Sequence, residues 1–127
     1  MSRLKGATTS TSHFVGAGTP EELETLLEDT LITGDRESLT ALFEDHAIFV
    51  RDNGHAAHGH EIGGLALAMW HGDHKYVADP QRVIQARDIA LIVTTEGINV
   101  ARRGHDGTWR YVVMLQAFVI EKDRSRP

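Results

Sequence analysis

Apolar positions recur at two periods along this chain, and the places where the period changes mark its elements. From Thr19 to Gly34, Leu23, Leu26, Leu27, Leu31 and Ile32 fall at helical spacing. Thr19-Pro20-Glu21-Glu22 opens that helix. Threonine caps, proline suits the first helical position, and the two carboxylates meet the positive end of the helix dipole. Gly34 closes it, and Asp35 caps a second helix carrying Leu39, Leu42 and Phe43 on one face. A third helical stretch, from Glu61 to His71, holds Ile62, Leu65, Leu67, Ala68, Met69 and Trp70 and is loosened by Gly63 and Gly64. The β-rich run Ala47 to Asp52 reads as a strand, turned at Asn53-Gly54 into a short return strand, His55 to His58. After the break at Asp79-Pro80, strands are expected over Arg82 to Arg87, over a long run from Ile89 to Arg103, and, beyond the Gly104-His105-Asp106-Gly107 turn, from Thr108 to Lys122. The order ααββαβββ, with strands joined by tight turns, predicts an α+β domain.

Composition narrows the function. A chain of 127 residues fits one domain, taken here as residues 19–127, preceded by an arm, residues 1–18, rich in Ser, Thr and Gly. The net charge of −5 argues against nucleic acid as the main partner, because phosphate binding needs a basic face. With no cysteine, disulfides, thiolate zinc sites and thiol nucleophiles are excluded. No apolar run is long enough for a membrane span or a signal peptide, so no membrane partner and a cytoplasmic location are expected. His55, His58 and His60 cluster among eight histidines, but on a regular strand His55 and His58 take opposite faces, so they read as surface residues rather than a metal site. No cofactor is expected.

Gly34-Asp35, Phe43-Glu44-Asp45-His46-Ala47-Ile48-Phe49, His58-Gly59-His60-Glu61-Ile62 and Asp88-Ile89-Ala90-Leu91, in that order and spacing, resemble the nuclear-transport-factor-2-like (NTF2-like) superfamily. Within it they are most similar to small SnoaL-like and ketosteroid-isomerase-like bacterial proteins. The resemblance covers about Thr19 to Lys122 and implies a cone: a bent antiparallel sheet wrapped around three helices, with an apolar pocket open at one end. It also implies a homodimer through the outer sheet face. Members include isomerases, dehydratases, cyclases, epoxide hydrolases and pure binders, so the fold leaves the activity open.

Strand alternation placed on that geometry turns Phe49 and Arg51, then Val93, Thr95, Gly97 and Asn99, then Met114, Gln116 and Phe118 toward the pocket, with Leu27 and Trp70 contributed by helices. Arg51 stands where ketosteroid isomerases carry their catalytic carboxylate, with Asp52 beside it. The catalytic candidates are therefore Asp52, as proton shuttle, and Arg51. The ligand-binding candidates are Phe49, Trp70, Thr95, Asn99, Met114, Gln116 and Phe118. Arg51, Asn99 and Gln116 would steady an oxygen of the ligand. Two readings follow. One is a SnoaL-like pocket protein for a small apolar carbonyl or carboxylate compound, an isomerase, cyclase or lyase working by proton transfer. The other is a non-catalytic ligand-binding or protein-association module.

This reading also leaves the usual last strand of the cone unaccounted for. Three arrangements would close the resulting gap beside the first strand. The N-terminal arm could fill it. Thr108 to Lys122 could take the final-strand role. The first and fifth predicted strands could pair directly.

Overall fold

The computed structural model describes residues 16–70 and 75–116. Helix α1, Pro20–Thr33, begins as its sequence dictates: Thr19 Oγ1 accepts the Glu22 N–H at 3.0 Å, and Glu22 reaches back to the Gly18 N–H at 2.7 Å. Gly34, at φ 73°, ends it in the left-handed region, and its N–H bonds to Thr30 O. Asp35 caps the short helix α2, Arg36–Thr40, through the Ser38 N–H. Helix α3, Glu61–Met69, crosses α2 closely at its glycines: a Cβ on Gly63 would stand 2.6 Å from Thr40 Oγ1. Gly63 thus permits a helix contact that any larger residue would push apart.

Six strands follow the order β2-β1-β6-β5-β4-β3 in one sheet. They are β1 Phe43–Val50, β2 Ala56–His58, β3 Arg82–Ala86, β4 Ile89–Val93, β5 Gly97–Arg103 and β6 Trp109–Gln116. Every neighbouring pair is antiparallel except β1 and β6, which run parallel with Phe49 opposite Met114. Register shifts in β1 between Phe43 and Ile48, and in β6 at Val112, opposite Val100 and Ala101, mark bulges that increase the sheet's bend.

The predicted run from Ile89 to Arg103 is therefore two strands, and no strand of the cone is lost. The chain reverses at Thr94-Thr95-Glu96, where the Thr94 hydroxyl accepts the N–H groups of Glu96 (3.1 Å) and Gly97 (3.2 Å). Two adjacent threonines carry strong strand propensity, which hides a turn held by one hydroxyl. The gap beside the first strand does not arise, since β1 and β6 pair directly. Residues 1–15 of the arm lie outside the described residues; Ala17 forms an isolated antiparallel bridge to Trp109, whose N–H bonds to Ala17 O at 2.9 Å. Strand β1 starts four residues before the predicted Ala47 and stops before Asp52. Arg51 N–H bonds to His55 O at 2.8 Å, and Asp52 sits in the hairpin loop.

Register sorts the side chains into two faces. Inward, Ile92, Asn99, Met114, Phe49 and Ala57 lie side by side across five strands, and all are buried. Outward, Ile84, Leu91, Val100, Val113 and Ile48 form one cross-strand row. Val93, Ile98, Leu115 and Val50 form a second. The core lies between the inward face and the helices, with Leu23, Leu27 and Leu31 of α1 and Ile62 and Ala66 of α3 buried in it. No helix among the described residues is long and apolar enough to cross a membrane.

Candidate functional site

The interior of the cone holds a carboxylate. Glu24 follows Leu23 on α1 and is fully buried. It shares a helix face with Leu27 and Leu31, three and seven residues on. Its Oε1 accepts the Tyr76 hydroxyl at 2.5 Å; its Oε2 accepts the Tyr111 hydroxyl at 2.7 Å and the Asn99 side-chain N–H at 2.9 Å. Four elements meet at these three bonds: α1, β5, β6 and the segment leading to β3. A buried charge persists only where its partners replace water, and three donors on two oxygens do so here. Burial first, and then the Glu24 charge, push both phenols well above the ordinary tyrosine range, so they remain donors.

Aromatic rings close the space around this centre. Phe49 stacks on Trp70 with centroids 5.6 Å apart and planes 11° from parallel, and Trp70 meets Tyr76 edge-on at 5.0 Å. A void of about 10 Å³ remains, lined by Trp70, Tyr76, Glu96, Asn99, Met114 and Gln116 among others. That is room for roughly one water molecule. A larger pocket of about 270 Å³ opens on the other side of Trp70 and Tyr76, between the ends of α1 and α3.

Of the ligand-binding candidates, Trp70, Asn99, Met114 and Gln116 do converge, around the small void, and Phe49 backs Trp70. Thr95 does not. The turn restarts the alternation, leaving Thr95 exposed with its hydroxyl bonded to Asp79 at 3.0 Å. Val93, expected inward, lies in the outward row opposite Ile98. Phe118 lies outside the described residues. Asp52 is half-buried in the hairpin, its backbone N–H bonded to Gln116 Oε1 at 3.1 Å, and it does not line the interior void. Arg51 Nε is buried without a hydrogen-bond partner among the described residues, and Arg51 likewise does not line that void. Asn99 spends its donor on Glu24 rather than on a ligand oxygen beside Arg51. The sequence reading missed Glu24, Tyr76 and Tyr111. Among the described residues, no three His, Asp or Glu side chains group as a metal site requires.

With this geometry, comparisons with known proteins place the fold. No family model matches the chain, and no curated protein matches it in sequence. Solved structures do. A Thiobacillus denitrificans protein, provisionally described as a calcium/calmodulin-dependent protein kinase type II association domain, superposes with a TM-score of 0.61 at 17% identity, over 79% of this chain and 94% of that one. A ketosteroid isomerase-like protein from Erwinia carotovora atroseptica gives 0.59 at 15% identity, over 75% and 89%. A Streptomyces avermitilis protein, provisionally called a dehydratase of the NTF2-like family, gives 0.55 at 17%, over 73% and 88%. The chain therefore has the NTF2-like fold, and neighbours sharing that fold range from enzyme-like proteins to association domains. Identities this low speak for the fold alone.

Proposed function

We propose that this protein is a non-catalytic NTF2-like association module that pairs with a second copy of itself through the outer face of its sheet. The observation that carries this reading is the contrast between an interior whose void is water-sized and an exterior with no partner among the described residues. Two continuous apolar rows cross the outward face, and Ile84, Ile89 and Leu115 are 40–49% exposed on it. Apolar surface of this extent on a sheet is favourable to bury. A second copy is the fitting occupant because the centre of the face is apolar. Two of the cations at its edges are paired within the chain, Arg102 with Glu44 and Arg110 with Asp106, while Arg82, beside Val93 at the end of the second row, is exposed and makes no ion pair among the described residues. An apolar centre with a charged rim is self-complementary under a two-fold axis. The association-domain description of one structural neighbour points the same way.

The pocket-enzyme reading, an isomerase, cyclase or lyase acting by proton transfer on an apolar carbonyl compound, has less support. Its candidate base, Asp52, stands in the hairpin and does not line the void beside Gln116, and that void is water-sized.

Sedimentation of the full chain across a concentration series tests the proposal. A dimer that Leu115→Lys or Ile89→Lys converts to a folded monomer is the expected result. A wild type that sediments as a monomer at every concentration would sink it.

A further inference from the structure

The pocket between α1 and α3 has no part in the proposed association, and its chemistry is one-sided. Leu31, Ile32 and Gly34, at the end of α1, form one wall; Leu67 and Trp70, at the end of α3, and Tyr76 form the rest. Both helices thus present their C-terminal ends to the same cavity, and neither carries a basic residue in its last turn. The Gly34 N–H takes Thr30 O, while the carbonyls of Leu31, Ile32 and Thr33 meet no donor among the described residues. Each helix end contributes about half a negative charge. Glu28 adds a whole one. It is half-buried in the wall and fixed in place by its Oε1, which accepts the Ala78 N–H at 2.9 Å. The indole of Trp70 and the phenol ring of Tyr76 supply electron-rich aromatic surface beside it. Among the described residues Lys75 is the one cation lining the pocket, and it is exposed.

We propose that this pocket binds a small organic cation, an ammonium group on a short apolar body. The ammonium sits by Glu28 and the α1 carbonyls, and the apolar body lies along Leu31, Leu67 and Trp70. At about 270 Å³ the cavity falls just under the roughly 300–1,000 Å³ of sites for drug-sized molecules, so the ligand is small. Lys75 acts as a competing internal cation that raises the concentration of ligand required.

Titration of the full chain with pentylammonium, pentanoate and pentanol, followed by calorimetry and by indole fluorescence, separates charge from shape. Pentylammonium should bind roughly tenfold more tightly than the other two, the combined effect of a helix end, a carboxylate and an aromatic face. Glu28→Gln keeps an acceptor for the Ala78 N–H, so the fold is retained while the preference falls to about twofold or less. Lys75→Ala, at an exposed position, should tighten ammonium binding. Four results would overturn the proposal: no binding by any of the three, equal binding by all three, pentanoate as the tightest ligand, or a preference that survives Glu28→Gln.

Discussion

Along β5, Asn99 and Ala101 turn inward while Ile98 and Val100 turn outward, and the two faces built this way are satisfied by different means. The inner face is satisfied from within the chain: apolar neighbours pack against helices, and the buried Glu24 carboxylate has three donors. The outer face is apolar and has no partner among the described residues. A protein that uses its cone as a reaction vessel would show the reverse, an incomplete interior and a quiet exterior. The difference teaches where unspent binding energy lies, which is on the outside of the sheet.

The inner face breaks most readily at Glu24. Replacing it with Ala strands two phenols and an amide in an apolar interior, at about 3–5 kcal/mol, since each buried donor left without an acceptor costs roughly 1–3 kcal/mol and losses within one cluster do not add in full. Urea denaturation should show a correspondingly lower midpoint for Glu24→Ala. An unchanged midpoint would mean that the buried centre does not tie α1 to the sheet.

Alkaline pH probes the same centre without mutation. The phenols of Tyr76 and Tyr111, the only tyrosines in the chain, have folded pKa values raised by burial and by Glu24. The stability they confer is complete below the unfolded value near 10 and falls as pH rises toward the folded values. Above about pH 10 the unfolded state gives up protons that the folded state keeps, so stability should drop by about 1.4 kcal/mol per pH unit for each phenol. Absorbance at the tyrosinate band should stay flat until the chain unfolds. A smooth titration of native protein near pH 10 would show that the phenols reach solvent.

How much of this contrast the sequence carried depends on what holds each part. The helices were legible because their caps are local: Thr19, Gly34 and Asp35 act on residues three or four away. The outer face was legible in part, as β-rich runs, but its rows depend on register. Register in turn depends on where Thr94 turns the chain, and a single side chain bonding to its own backbone leaves no periodic trace. Glu24 was hidden for the opposite reason. A glutamate in a helix is most often solvated, and only its position on the Leu27–Leu31 face hinted otherwise. Its partners Tyr76, Asn99 and Tyr111 lie 52, 75 and 87 residues away in sequence. Arg51 and Asp52 lie past the end of the first strand at Val50, in the hairpin, and neither lines the small void.

Within the inner centre the two phenols should not be equal. Tyr111 sits on a strand in mid-sheet, and its hydroxyl shares Glu24 Oε2 with Asn99. Tyr76 lies in the segment before β3 and, among the described residues, alone serves Oε1, so its loss leaves that oxygen without a described donor. Tyr76→Phe should therefore cost more than Tyr111→Phe, about 2 kcal/mol against about 1 kcal/mol. Thermal denaturation of the pair checks the order, and the reverse order would place the weight of the centre on the sheet rather than on the segment that covers it.

The smallest effect on the fold is expected on the outer face, where it sharpens the comparison most. Leu115 is 40% exposed, and its outward neighbours Ile98 and Val50 are part of the same unpartnered surface. Lysine there keeps its stem along the sheet and its charge in water, so monomer stability should shift by no more than about 0.5 kcal/mol. The same charge brought to the centre of an apolar contact with a second copy would be buried without a counter-charge, which a dimer does not tolerate. Leu115→Lys should thus leave the denaturation curve of the dilute protein unchanged and abolish its concentration dependence. If the variant instead unfolds with a clearly lower midpoint while remaining associated, the outer rows belong to the core of the single chain, and the two faces are not the opposites described above.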